Sequence, residues 1–317
     1  MSKNIILPFY RAISKRYIAG ETIENVIKQQ IDLTQKYSNP KKIGLIIDYV
    51  DEGKNPNKYF KECITAAKTQ YILPSMIAVK CSGLGLGSYN QGTQISLTEI
   101  MDKLECIASI GFENGNHIIM DAEQVRINDE INYLTDELVS RYYNQQIFPC
   151  IYRTFQMYRN DSYQDLKDYV NKFPYGGIKL VRGAYLEEDK DTGKLFTNKQ
   201  ETDDNYNNSI RYLADYNPFT NLEVINDNNI ITPEVINNNI LIASHNKQSC
   251  QLAAHYNFKE DKFQFAQLLG MSDNLTRELN KKHITYKYIP YGPLDEAIPY
   301  LTRRLQENAH MIKHMLS

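Results

Sequence analysis

From residue 43 onward the chain alternates between short apolar runs and longer stretches that suit helices. The runs are Ile43–Val50, Pro74–Lys80, His117–Glu123, Phe148–Gln156, Gly177–Gly183, Asn239–His245, Phe263–Gly270 and Thr285–Pro290. Most are apolar at successive positions rather than at every second one, the pattern of parallel strands covered on both faces. Between them, stretches such as Thr98–Ile110, Asp129–Tyr143, Tyr163–Lys172 and Thr202–Tyr216 predict helices. Ahead of the first run, Ile23, Val26, Ile27, Ile31 and Leu33 give an apolar stripe to a helix over Glu21–Tyr37. After the last run and its Gly292-Pro293 break, a helix is expected through Asn308, with Asp295 and Glu296 at its positive end. Leu294, Ile298, Leu301 and Leu305 fall on one stripe of that helix; Tyr300, Arg303, Arg304 and Glu307 fall on the other.

Eight βα units without a long spacer predict a (β/α)8 barrel of TIM type, with residues 1–40 as a helical segment and 41–317 as the barrel. A doubly wound open sheet is the competing architecture. It usually carries a G-x-G-x-x-G turn after its first strand, and here only GLGLG at Gly83–Gly87 occurs, after a later run and with different spacing.

In a barrel, chemistry gathers at the C-terminal ends of the strands. Those ends carry Asp48 and Glu52, Lys80, Asp121 and Glu123, Gln156, Arg182 to Tyr185, Ser244 to Asn246, Gln267 and Leu268, and Tyr288. One polar strand end is ordinary solvation, whereas polar groups at all eight ends mark a site. The Arg303–Arg304 pair, read alone, suits a solvated helix face with an Arg303–Glu307 pair. Beside eight polar strand ends it reads better as a clamp for an anion, because guanidinium forks grip a carboxylate in a fixed plane.

Composition narrows the chemistry. The 317 residues carry a formal charge of −2 at a pI near 6.3, which argues against a nucleic-acid backbone as partner. Five cysteines without a CxxC pair suit free thiols in a reducing compartment rather than a disulfide scaffold or a zinc site. His245 has no neighbouring His or Cys at ligand spacing, so no metal is expected. No run approaches the ~18 apolar residues of a spanning helix. Lys3, Arg11, Lys15 and Arg16, without an acid in the first twenty residues, read as part of an opening helix rather than a targeting segment. The Asn-rich run Asn226–Asn239 reads as a polar surface connection. Lys80 could be a Schiff-base lysine, a fixed cation or a partner of Glu52. Asp121 and Glu123, two apart, would share a face of an extended strand and could act together or form salt bridges.

MDAEQ at Met120–Gln124, QMY at Gln156–Tyr158, KLVRGAYLEE at Lys179–Glu188, ASHN at Ala243–Asn246, FAQLLGM at Phe265–Met271 and YKYIPYGPLDEAIPYLTRRLQEN at Tyr286–Asn308 together resemble proline dehydrogenase, in order and in spacing. YIAGET and IDYVDEG resemble the N-terminal part of that family, so the resemblance spans nearly the whole chain, closest to the monofunctional, eukaryotic-type enzymes. It implies a distorted (β/α)8 barrel with the last helix over its mouth. The barrel would hold FAD and oxidise L-proline to Δ1-pyrroline-5-carboxylate, with hydride passing to flavin N5 and electrons then to a quinone.

By the same resemblance, Arg303 and Arg304 hold the substrate carboxylate, steadied by Glu307. Lys80, Leu268 and Tyr288 line the substrate, Asp121 is the acidic site residue, and Glu52 with Arg303 forms a gate. Gln156, Lys179, Arg182, Gly183, Ala184, Tyr185, Ser244, His245 and Asn246 correspond to cofactor contacts. Lys179 and Arg182 compete for the flavin N5 side. Arg153 and Cys81 depart from the residues expected at their places and bear on the flavin environment. Tyr288, where hydroxyproline-oxidising relatives carry a smaller residue, favours proline. Relatives are membrane-peripheral, and mitochondrial in eukaryotes; the expectation is a cytoplasmic or membrane-peripheral protein, mitochondrial if the source is eukaryotic. The rival readings are hydroxyproline or another cyclic amine as substrate, a Schiff-base aldolase or lyase using Lys80 or Lys179, and an inactive binding barrel.

Overall fold

The computed structural model describes residues 3–51, 53, 55–87, 95–143, 151–174, 176–216, 225–226, 229–230, 240–257 and 262–315; side chains at 3–9, 143, 225–226, 229–230 and 306–315 lie outside the description. Two helices, α1 (Lys3–Tyr17) and α2 (Ile23–Lys36), precede eight strands: β1 Ile43–Tyr49, β2 Ser75–Val79, β3 Asn116–Met120, β4 Ile151–Gln156, β5 Gly177–Val181, β6 Ile240–Ala243, β7 Phe263–Leu268 and β8 Thr285–Tyr291. All pair in parallel in chain order, and β8 returns to β1 with Ile43 opposite Thr285 and Tyr49 opposite Tyr291, closing the barrel. Each predicted run coincides with one of these strands, although β3 begins one residue before its run and β8 ends one residue after.

Helices α3 (Pro56–Lys68), α4 (Leu97–Glu113), α5 (Val125–Tyr143), α6 (Ser162–Lys172), the short α7 (Leu186–Asp189), α8 (Lys199–Asp215), α9 (Lys247–Tyr256) and α10 (Asp273–Asn280) lie between the strands; α11 (Leu294–Met315) follows the last. α3 and α9 had no named prediction, yet their starts are marked. Asn55 accepts a hydrogen bond from the Lys58 amide, with Pro56 in the first turn, and Asn246 accepts one from the Ser249 amide. Of the Asn-rich run, residues 227–228 and 231–239 lie outside the described residues. Asn226 and Asn229 belong to a short antiparallel pair.

Strand alternation sorts the barrel into layers. Leu45, Ile47, Ile77, Val79, Ile118, Met120, Phe155, Leu180, Ile242 and Phe265 share one core with the surrounding helices, including Val26 and Leu33 of α2. Ile46, Met76, Ile119, Tyr152, Leu241 and Tyr286 fill the inside of the barrel. Two residues further along five of these strands come Asp48, Asp121, Thr154, Ala243 and Tyr288, which line a cavity at the C-terminal end. The same alternation that packs an apolar plug at the bottom therefore delivers polar groups above it. Gly44 is required at the bottom, where a Cβ would lie 2.4 Å from the Tyr286 ring.

α11 presents to the barrel the side that a clamp requires. Among its described side chains Ala297, Tyr300, Leu301 and Arg304 are buried, while Leu294, Ile298 and Leu305 are only half-buried. The helix thus turns its Tyr–Arg side toward the barrel mouth, and its apolar stripe does not define the buried face. On its other side Tyr10 and Ile13 of α1 pack into a cluster with Tyr17, Ile18, Ala297 and Leu301.

Lys287 of β8 is fully buried, yet polar partners meet it: the Asp273 carboxylate at 2.9 Å and the Met271 carbonyl at 2.9 Å. Burial lowers its pKa to about 8 despite Asp273. An unfolded lysine titrates near 10.4, so between these values the unfolded chain binds more protons and stability must rise with pH. Below about pH 8 both states are charged and the penalty is constant. Urea midpoints of the wild type, taken relative to Lys287→Met, are expected to be flat below pH 8 and to climb between pH 8 and 10. A flat difference throughout would show that Lys287 is not penalised by its burial.

Candidate active site

The cavity at the C-terminal end of the barrel has a volume of about 550 Å³. Six cationic side chains (Lys80, Lys179, Arg182, Lys199, Arg303 and Arg304) line it against two carboxylates, Asp48 and Asp121. Such an excess suits an anionic ligand.

At its floor, two ammonium groups are fixed by carboxylates. Lys80 pairs with Asp48, and Lys179 pairs with Asp121. Asp121 also accepts a hydrogen bond from the Tyr288 hydroxyl at 2.7 Å, and Lys179 sits 5.0 Å from the centre of the Tyr288 ring. Burial pushes the Asp121 carboxyl upward, but the charges of Lys179 and Lys80 outweigh it and hold the group below its ordinary range. Burial acts in the same sense on Asp48, and there it prevails, aided by the charge of Asp121 and opposed by Lys80. Tyr288 is held protonated by burial and by the neighbouring carboxylates. Its hydroxyl therefore donates.

On the β5–β6 side, Arg182 is pinned at three points. It donates to Asp203 at 2.7 Å, to Ser244 at 2.7 Å and to Ser249 at 2.9 Å, and lies 4.3 Å over the Tyr206 ring. Beside it, His245 is pushed down to about 3 by burial and by the charges of Arg304, Lys287 and Arg182. Its Nε2 accepts the Leu268 amide at 3.1 Å, so the neutral ring carries its proton on Nδ1. Gln156 donates to the Glu123 carbonyl at 2.8 Å and accepts the Ala184 amide at 3.4 Å, tying the end of β4 to the turn after β5. From above, α11 brings Arg303 over the Tyr185 ring at 5.3 Å and the buried Arg304 beside Tyr300 at 5.2 Å.

Among the residues singled out from sequence, Lys80, Asp121, Gln156, Lys179, Arg182, Gly183, Ala184, Tyr185, Ser244, His245, Asn246, Leu268, Tyr288, Arg303 and Arg304 all line this cavity. Glu52 and the side chain of Glu307 lie outside the described residues, so the gate and the brace assigned to them rest on the resemblance alone. Asn246 has its side-chain oxygen engaged at the start of α9.

Three expectations change. Glu123 does not join Asp121, because β3 ends at Met120 and the alternation stops there; its carboxylate instead holds the Ser82 amide and hydroxyl. Arg153 faces away from the cavity, paired with Asp136 and Asp165 and stacked on Phe155 and Tyr169. Cys81 is buried in the core between barrel and helices. Neither residue lines the cavity. Lys80 pairs with Asp48, four residues before Glu52, which lies outside the described residues.

Sequence reasoning did not find Asp203, Ser249 and Tyr206, which fix Arg182 from α8 and α9, because nothing local distinguishes them from surface-helix residues. Thr154 was legible in principle, two positions beyond Tyr152. Among the described residues no cluster of His, Cys, Asp and Glu could hold a metal ion, and no helix is long and apolar enough to cross a membrane.

The profile described as Proline dehydrogenase matches residues 31–315. The chain is 28% identical to the carbapenem antibiotics biosynthesis protein CarD of Pectobacterium carotovorum subsp. carotovorum, over 95% of this chain and 80% of that protein. It is 27% identical to the mitochondrial proline dehydrogenase 1 of Dictyostelium discoideum, over 94% of this chain but 61% of the relative. Among solved structures, proline utilization A from Bdellovibrio bacteriovorus, inactivated by N-propargylglycine, shares the fold with a TM-score of 0.73 at 20% identity; the match covers 94% of this chain and 33% of that one. The profile match over most of the chain, on a closed barrel of this topology, places the protein in the proline dehydrogenase family.

Proposed function

We propose that the protein is an FAD-dependent dehydrogenase that oxidises L-proline to Δ1-pyrroline-5-carboxylate and passes the electrons to a quinone. The observation that carries this reading is the gathering of two arginines of α11 and a buried Lys179–Asp121–Tyr288 cluster around one cavity. Family membership supports the substrate and the cofactor; the quinone rests on the resemblance.

The residues present fit a flavin. Ala122, Gly183, Ala184, Ala243 and Ala266 keep part of the wall low and apolar, leaving room for a flat ring. Around it stand three donors held by the protein: Lys179, Arg182 and the neutral His245 ring. When bound, FAD supplies the hydride acceptor, and the protein needs only to align the donor.

In this reading Arg303 and Arg304 grip the proline carboxylate, and Leu268 and Tyr288 pack against its ring. Asp48 holds the Lys80 side chain fixed beside the same space. Closure by α11 excludes water, and positioning of this kind accounts for a large share of a barrier. Of the two cations considered for the N5 side, Lys179 is favoured. Arg182 is committed to Asp203, Ser244 and Ser249, whereas Lys179 looks into the cluster that holds Tyr288. The same ion pairs weigh against a Schiff-base role for Lys80 or Lys179, because that chemistry needs a free amine and a carboxylate beside it favours the ammonium.

Incubated with FAD, L-proline and a soluble quinone, the purified protein is expected to yield a cyclic imine two hydrogens lighter than proline, detected by mass spectrometry. Unaltered proline, with a product from hydroxyproline or another cyclic amine, would move the substrate assignment. Arg304→Met removes a charge-assisted grip, so kcat/KM for proline is expected to fall by about 10- to 100-fold, mostly through KM. An unchanged KM would remove Arg304 from the carboxylate site.

A further inference from the structure

Resting on the reading above, we propose that α11 is held in its substrate-binding pose by two anchors that never touch the substrate, Glu296 on one face and Tyr10–Thr302 on another. Glu296 stands in the first turn of α11, where an acid would ordinarily serve only the helix dipole. Here its side chain is 12% exposed and reaches back to the barrel, accepting the buried Tyr49 hydroxyl at 2.6 Å and the Lys58 ammonium of α3 at 2.7 Å. One and two turns further along nearly the same side of the helix come Tyr300 and Arg303.

Thr302 projects about 120° around the helix from Glu296. Its hydroxyl donates to the Ile298 carbonyl at 2.8 Å, which leaves it as acceptor for the Tyr10 hydroxyl of α1 at 2.7 Å. Around that contact Ile13 and Tyr17 of α1 pack into the cluster that contains Leu301 and Tyr300. The same cluster includes Leu268 and Met271, which line the cavity, so α1 is continuous with the cavity wall.

Pro299 lies between the anchors. Its missing N–H removes one bond of the helical ladder, so the backbone alone couples the two halves of the helix weakly at this point. A rotation of α11 by about 20° would carry side-chain ends, roughly 5–6 Å from the axis, through about 2 Å. Displacements of about 1 Å are enough to cost two orders of magnitude in a positioned reaction. Anchors on two faces, before and after the proline, remove that rotation. Glu296, Tyr10 and Thr302 are therefore positioning residues.

The test compares Tyr10→Phe, Thr302→Val, their double variant and Glu296→Gln in the full-length, FAD-loaded protein. Each single change is expected to raise KM for proline about five- to tenfold, with flavin content and unfolding midpoint close to wild type. The Tyr10→Phe/Thr302→Val double is expected to be no worse than either single, since both remove one bond. Independently of turnover, hydrogen exchange in α11 is expected to accelerate in each variant. If the wild type fails to oxidise proline, the proposed reaction is wrong, and exchange still reads the anchoring. Lower unfolding midpoints with unchanged KM and unchanged α11 exchange would overturn the proposal, leaving these contacts as ordinary fold stabilisers.

Discussion

An ammonium inside a barrel survives only if a carboxylate neutralises it, and that constraint organises this molecule. Lys179 and Lys80 stand above an apolar plug and are held by Asp121 and Asp48. Asp48 comes from the strand beside that of Lys80, and Asp121 reaches Lys179 across the intervening β4, so the closed parallel topology is what brings each pair together. Removing one member would leave a buried charge, costing about 3–5 kcal/mol. Tyr288, donating to Asp121 from β8, ties the far side of the barrel into the same cluster. Substrate chemistry is then a matter of what this pre-paired floor leaves for a ligand to satisfy, and the arginines of α11 supply the answer from above.

The barrel was legible from the chain because hydrophobic burial on both faces leaves a simple signature, runs without alternation. The site was legible because polar groups ended every run. Physically these are one fact. The inward-facing positions change from Ile46 to Asp48, from Ile119 to Asp121 and from Tyr286 to Tyr288 as each strand passes from plug to cavity. Asp121, Lys179 and Tyr288 could thus be nominated singly. Their mutual contacts could not, since those depend on register between strands distant in sequence.

What was not legible depended on tertiary environment. The surroundings that bury Tyr300 and Arg304 at the barrel mouth leave no mark in the periodicity of α11. Arg153 seemed to bear on the flavin, yet it sits on the outward side of β4, with Asp136 and Asp165 contributed by α5 and α6. Glu123 was paired with Asp121 by an alternation that ends three residues before it. Asp203 and Ser249 gave no local sign, since only the packing of α8 and α9 against β5 turns them toward Arg182.

The central claim is that this cavity aligns proline with a flavin, and an absorbance spectrum tests it most directly. The FAD-loaded protein, free of oxygen, is recorded before and after addition of L-proline. Flavin absorption near ~450 nm is expected to bleach on addition, the redox change residing in the cofactor. Flavin bands that persist with proline would contradict the substrate. Failure to take up FAD at all would contradict the account of the cavity itself.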